Sequence, residues 1–526
     1  MATIPLTKFL RSLRDRHLWA ALLGGGLLTF AYAPFNLWPL LFVGLGLACY
    51  ATDQNHWRQV AKYGFAFGFA WFAAGISWVH VSIAEFGGLP LVVSLALMAL
   101  LCGYLALFPA LAFTLAHILS SGPITRLLAL VVSFALTEWL RGTLLTGFPW
   151  LSFGYTQTDA PLNLLAPWIG EFGLTLLCVL LAGAFYLCLT QKRWLPTCLL
   201  ASLIGIGLLL AQHSPSAEYS GKKIKALLVQ GNIQQSLRWE PEHFWPTMQK
   251  YRDMTRVKWQ QADLVVWPEA AVPELEEVAG PFLESLDNAA VFNNTALVTG
   301  IPDYQFDTRR VYNTLIVVGK RQAEDTSGQY TYLHRNRYQK HQLLPIGEFV
   351  PFEDWLRPIA PLFNLAMSSF TRGEAQQANL LANGLHLLPA ICYEIAFAEL
   401  VRGNFQADSD ILFTVSNDAW FGHSHGPHQH MQIARMRALE LQRPLIRVTN
   451  NGISGVYDPL TQTQLTIPQF SADTLLAEVK LINGYSFYSQ HGTTPIWLAM
   501  VLLSVSLLTL RVYQLRYRAK PNQLTS

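Results

Sequence analysis

Leu387-Leu388-Pro389-Ala390-Ile391-Cys392-Tyr393-Glu394 is an apolar run that ends by handing a thiol to a polar turn, the pattern of a buried strand whose last side chains reach a loop. Sites in α/β proteins are commonly built at such strand ends. Two other runs share the pattern: Leu264-Val265-Val266-Trp267-Pro268 leads into Glu269, and Lys340 opens Lys340-His341-Gln342-Leu343-Leu344-Pro345. Around them, β-rich runs at 224–229, 262–267, 296–301, 385–391, 411–415 and 445–449 alternate with polar helical stretches. This predicts a soluble-type α/β domain over residues 213–492, with a β-rich core and helices outside.

Outward from that domain the composition changes. Across the 526 residues only 13% are charged and 52% are hydrophobic, which indicates a bilayer rather than an ordinary globular chain. Seven apolar stretches, at about 18–33, 36–51, 60–80, 89–117, 124–141, 163–190 and 194–211, precede the domain, and an eighth at 493–511 follows it. Most reach the roughly 20 residues that a spanning helix needs; the first two are short and are split by Pro34. The expected organisation is a seven-helix transmembrane domain at 1–212, the α/β domain at 213–492, and a last helix with its tail at 493–526.

Lys and Arg mark the cytoplasmic side. Lys8, Arg11, Arg14, Arg16, Arg58, Lys62, Arg126, Lys192, Arg193, Arg511, Arg516, Arg518 and Lys520 all fall on one side of these spans. Both termini are therefore expected in the cytoplasm and the 213–492 domain on the outer face. Arg141 breaks the rule, and Glu138 one turn earlier supplies a local ion pair. Ala31-Tyr32-Ala33 resembles a signal-peptide cleavage site, but Pro34 follows it directly, so the first apolar stretch reads as an uncleaved anchor.

The totals also exclude partners. A net charge of +3, with no basic stretch interleaved with aromatics, argues against nucleic acid. Cys49, Cys102, Cys178, Cys188 and Cys198 lie in apolar runs, where cysteine acts as a small hydrophobe. Cys392 stands alone in a polar context, so no disulfide framework is available. His423, His425, His428 and His430 invite a zinc reading, but their spacing fits no closed site and no Cys accompanies them. No metal or cofactor is expected.

The order Glu269, Lys340, Cys392 in these contexts resembles the nitrilase superfamily. Between seven spans and one, it resembles that superfamily's bacterial apolipoprotein N-acyltransferases. Pro34-Phe35-Asn36-Leu37-Trp38-Pro39, Gly147-Phe148-Pro149-Trp150, Gln230-Gly231-Asn232, Pro345-Ile346-Gly347-Glu348-Phe349-Val350-Pro351 and Asn417-Asp418-Ala419-Trp420-Phe421-Gly422 match as well. The resemblance implies an α-β-β-α sandwich. It also implies transfer of a phospholipid acyl chain to the α-amino group of a diacylglyceryl-cysteine at a lipoprotein's N-terminus, in the bacterial inner membrane with the catalytic domain in the periplasm. Phosphatidylethanolamine as donor and a monomeric enzyme follow from the same resemblance.

For the site it implies Glu269 as general base, Cys392 as nucleophile, and Lys340 with a backbone N–H near Tyr393 as oxyanion donors. Glu348 would orient Lys340 or Cys392, and Glu394 would hold the loop after the nucleophile. Tyr393, Trp239 and Trp420 would shape the pocket, and Trp150 and Tyr155 would border a lipid route. The residue types suit this chemistry, because a thiol near pKa 8.5 needs a neighbouring base or cation to attack an ester. Two other readings stand beside it: a membrane-tethered amidase that uses the same trio, with water taking the acyl group, and a transporter whose outer domain merely binds ligand. The stretch from Phe349 to Arg372, with three prolines among large apolar residues, is a candidate lid.

Overall fold

A computed structural model of the chain describes residues 15–192, 194–213, 217–238, 240–345, 347–349 and 370–518. They divide into two compact units. One comprises the chain up to Ser77, from Leu95 through the helix ending at His213, and from His491 onward. The other comprises Trp78–Ser94 and the chain between those parts up to Gln490.

Each of the eight apolar stretches contains a helix: Arg16–Leu28, Pro39–Thr52, Trp57–Gly75, Leu91–Leu119, Pro123–Thr143, Ala166–Gln191, Trp194–His213 and Thr494–Arg518. Among the described residues five are long and apolar enough to cross a membrane, and a sixth results if Trp57–Gly75 and Val79–Glu85 form one broken span. The chain is a membrane protein on this count. The first two helices, of 13 and 14 residues, extend only about 20 Å at 1.5 Å per residue, short of the roughly 30 Å hydrocarbon layer.

The expected span over 60–80 is corrected: the helix stops at Gly75, and the chain bends by 60° before Val79. Trp78 then packs within the other unit, its ring edge-on to Phe421 at 4.6 Å and its Nε1 donating to Gln429 at 3.2 Å. An apolar run has the same composition whether it meets lipid or protein, so the pattern alone could not locate this break. Arg141 is paired with Glu138, and its guanidinium extends further, donating to the carbonyls of Phe148 and Trp150 at 2.5 and 2.7 Å and to Ser152 Oγ at 3.0 Å. That network buries the loop it holds. Trp150 and Tyr155, expected beside a lipid route, are each 1% exposed.

The second unit is built on two sheets. β1 (Ala217–Gln230), β2 (Leu264–Val266), β3 (Ala296–Gln305), β4 (Arg310–Gly319) and β5 (Arg337–Gln339) belong to the first. The second holds β6 (Leu380–Ala382), β7 (Leu385–Ile391), β8 (Ile411–Ser416), β9 (Leu445–Thr449), β10 (Gly455–Asp458) and β11 (Thr463–Thr466). β12 (Asp473–Gly484) returns to the edge of the first, giving orders β12-β1-β2-β3-β4-β5 and β11-β10-β9-β8-β7-β6.

Alternation along the strands sorts side chains to two faces. Ala226 and Leu228 of β1, with Leu264, Val266, Val298 and Val317, meet Leu387, Ile391, Phe413, Val415 and Val448 of the opposite sheet in one core. Leu227, Val229, Val265 and Leu297 face the other way, onto Met248 and Tyr251 of one helix and Leu283 and Leu286 of another. The helix Gly426–Leu441 packs on β8 and β9. Helices outside two facing sheets are the α/β architecture expected for this part of the chain.

Candidate active site

β1, β2 and β3 run parallel, as do β7, β8 and β9. Their carboxyl ends therefore collect at one edge of each sheet, and the groups that follow them converge: Glu269 after β2, Cys392 after β7, and Asn417 after β8. β4 returns antiparallel to β3 and sets Asn313 opposite Pro302, beside Glu269. Lys340 follows β5 directly, its N–H donating to the Asn313 carbonyl at 2.8 Å.

The buried Lys340 ammonium lies 2.8 Å from Glu348 and 3.5 Å from Glu269. Asn313 joins the two carboxylates, its Nδ2 donating to Glu269 Oε1 at 2.7 Å and to Glu348 Oε1 at 3.0 Å. The second Glu269 oxygen accepts from the Asn417 N–H at 2.9 Å. Arg238, also buried, donates to the Glu269 backbone carbonyl at 2.5 Å. Two cations and two carboxylates thus compensate each other. Gly300 on β3 permits this: a Cβ there would lie 2.3 Å from Ala270 N and 2.8 Å from Glu269 Cα, so only glycine lets Glu269 approach the sheet so closely.

Burial works against the Glu269 carboxylate, but Lys340, Arg238 and the Asn313 and Asn417 hydrogen bonds outweigh it and hold the group below its ordinary value. Burial pushes the Cys392 thiol up to about 12, with the Glu269 charge adding to the rise and Lys340 opposing it. Lys340 is raised despite its burial by the facing Glu348 and Glu269 charges. The resting site therefore holds a neutral thiol, an ionised carboxylate and a protonated amine.

Cys392 is half-buried and takes a left-handed backbone, φ 53°, where β7 gives way to the turn Cys392–Ala396. Glu394 is wholly buried and accepts from the N–H groups of Ile391 at 2.8 Å, His341 at 2.6 Å and Gln342 at 3.0 Å, and from the Tyr338 hydroxyl at 3.1 Å. It ties the segment entering Cys392 to the one leaving Lys340. Burial raises its pKa, against the pull of those backbone donors. Tyr393 is buried against Phe397, edge to face at 5.0 Å.

Trp420 lines the cleft at this site together with Gln235, Arg238, Glu269, Asn313, Glu348 and Phe370. Trp239 and most of the candidate lid lie outside the described residues. Sequence reasoning missed Arg238, Asn313 and Asn417 as partners of Glu269, and missed Ser82, whose hydroxyl donates to the Trp420 carbonyl at 2.7 Å. Three of the histidines of 423–430 have separate partners: His423 stacks on Phe470 at 4.0 Å, His428 lies 3.4 Å from Gln469, and His430 turns inward to Asp418.

The two-sheet fold is that of a nitrilase-type unit, and a carbon-nitrogen hydrolase model matches residues 225–486. A model of the apolipoprotein N-acyltransferase N-terminal domain matches residues 24–184. The chain is 45% identical to the apolipoprotein N-acyltransferase of Shewanella oneidensis, over 90% of this chain and 91% of that one. It is 44% identical to that of Vibrio parahaemolyticus, over 93% and 96%, and 38% identical to that of Haemophilus influenzae, over 92% of each. A solved nitrilase-superfamily structure from Saccharomyces cerevisiae is similar at 18% identity and a TM-score of 0.35, covering 54% of this chain and 97% of that one. The chain belongs to the apolipoprotein N-acyltransferase family and is an acyltransferase; neither the amidase nor the transporter reading is favoured by these relatives.

Proposed function

We propose that the chain moves an acyl chain from a phospholipid to the N-terminal α-amino group of a diacylglyceryl-cysteine, through a thioester on Cys392. The convergence of Glu269, Lys340 and Cys392 on one strand-end edge carries this reading. Glu269 takes the thiol proton as sulfur attacks the ester carbonyl, and returns it to the departing lysophospholipid oxygen. Lys340 and the Tyr393 N–H stabilise the tetrahedral oxyanion. Glu269 then accepts the proton of the incoming amine, which expels the thiolate and forms the amide. Glu348 orients Lys340, Glu394 joins the two loops, and Trp420 and Trp239 shape the cleft for chain and headgroup. The kinetics are ping-pong.

In this reading the short first pair of helices and the broken third complete seven crossings at 1–212. The catalytic domain at 213–492 faces the periplasm, and 493–526 returns to the cytoplasm, where both termini lie, in a bacterial inner membrane. Phosphatidylethanolamine is the donor and the enzyme is a monomer. Intact-protein mass spectrometry after exposure to phospholipid alone tests the reading: one added acyl chain is expected, absent from Cys392→Ser and released by hydroxylamine. An unmodified wild-type protein would overturn it.

A further inference from the structure

The proposed triad leaves His430 unused. This imidazole is 1% exposed, and its Nε2 lies 3.0 Å from the carbonyl oxygen of Cys392. Its Nδ1 faces Arg447 at 2.9 Å and Asp418 Oδ1 at 3.1 Å. Arg447, fully buried, also donates to Asp418 Oδ2 at 2.8 Å, and the Ser416 hydroxyl donates to Asp418 Oδ1 at 2.7 Å. Groups from a helix, a turn and two strands thus converge behind one carbonyl.

The tautomer follows from these partners. The Cys392 carbonyl can only accept, so the hydrogen bond at Nε2 puts a ring proton there, and in the neutral ring Nδ1 is then the acceptor that meets the Arg447 donor. Burial and the Arg447 charge both favour the neutral ring over the imidazolium. His430 therefore donates its Nε2–H to the Cys392 carbonyl.

We propose that His430 is a positioning residue that sets the plane of the Cys392–Tyr393 peptide and so aims the Tyr393 N–H at the oxyanion. A trans peptide is planar, so its C=O and N–H point in opposite directions, and anchoring one fixes the other. The left-handed conformation of Cys392 is one that an L-residue keeps only when its surroundings hold it, and the hydrogen bond from His430 is such a hold. Asp418 and Arg447 act one step further back, fixing the ring that fixes the peptide. The inference rests on Cys392 as nucleophile and the Tyr393 N–H as an oxyanion donor.

Two reactions of the same thiol separate aiming from mere support. Acylation by phospholipid passes through an oxyanion; alkylation by iodoacetamide does not. In full-length detergent-solubilised protein, His430→Leu should slow acylation by about 10- to 100-fold, less than outright loss of an oxyanion donor, while alkylation of Cys392 stays close to wild type. His430→Gln, whose side-chain N–H can take the place of Nε2–H, should restore most of the acylation rate. His430→Asn, polar but shorter, should remain slow and replaces the leucine variant if that one does not fold. Alkylation slowed as much as acylation, a glutamine variant as slow as the leucine one, or acylation untouched by any substitution would each overturn the inference alone. Wild-type protein that alkylates at Cys392 but never acylates would overturn the nucleophile reading and this inference with it.

Discussion

Replacing Lys340 with Met removes the cation on which the ionised state of Glu269 most depends. The two charges lie 3.5 Å apart, both in buried side chains. At an effective dielectric constant of about 20 such a pair is worth about 5 kcal/mol. Its loss raises the proton affinity of the carboxyl group. Arg238, Asn313 and the Asn417 N–H remain, so that figure is an upper bound, but Glu348 loses its 2.8 Å partner at the same time and becomes an uncompensated neighbour. That like charge beside it further favours the protonated form of Glu269. Infrared spectroscopy of Lys340→Met at neutral pH should show a carboxylic-acid carbonyl band that wild type lacks and that disappears in Lys340→Met/Glu269→Gln. Absence of the band, or its survival in the double variant, would refute the charge coupling described here. Acylation should fall by about 100-fold or more, the usual cost of losing an oxyanion donor.

Glu394→Ala leaves three buried backbone N–H groups and the Tyr338 hydroxyl without their acceptor, at a cost of about 3 to 5 kcal/mol. The thermal midpoint of the detergent-solubilised protein should drop by roughly 10 °C; a change within error would show that the junction carries no load. Gly300→Ala places a methyl group against the Glu269 backbone. Acylation should fall by about 100-fold, as displacements near 1 Å at a reacting group do, and a near-wild-type rate would show that Glu269 is not where the chemistry needs it.

Much of this candidate site was legible because the proposed reacting groups end apolar runs. Glu269 and Cys392 each follow a run of buried strand residues, a pattern that marks both position and chemistry. Strands β2, β3, β7, β8 and β9 were readable as apolar or β-branched runs. β12 was not, since Glu478 and Lys480 interrupt it on a face that the sheet edge leaves exposed. Asn313 lies in mid-strand, where one polar residue reads as ordinary alternation. His430, Asp418 and Arg447 lie 12 to 29 residues apart on separate elements, and no local spacing announces a cluster that only the meeting of β8, β9 and a helix creates. The bend after Gly75 was hidden because hydropathy records what a segment avoids, which is water, and not what it packs against.

The low proton affinity of Glu269 bears on why the proposed thioester would wait for an amine rather than react with water. A carboxylate held below its ordinary value is a weak base. It can relieve an α-ammonium group, with a pKa near 8, far more readily than it can deprotonate water, near 15.7. Asn313→Ala tests this directly by removing a donor shared between Glu269 and Glu348. A hydrogen bond to a charged group is worth about 1.5 to 3 kcal/mol, so its loss raises the proton affinity of Glu269 and strengthens the base. The sign for stability is fixed by the same shift: a depressed folded-state pKa stabilises above the unfolded value, and that contribution is lost as pH falls through the folded value. Acid unfolding of Asn313→Ala should therefore begin at higher pH than in wild type. With acylated enzyme divided between water and a fixed concentration of diacylglyceryl peptide, the variant should send a larger fraction to free fatty acid. An unchanged partition, alongside the expected shift in acid unfolding, would show that something other than the weakness of this base protects the thioester.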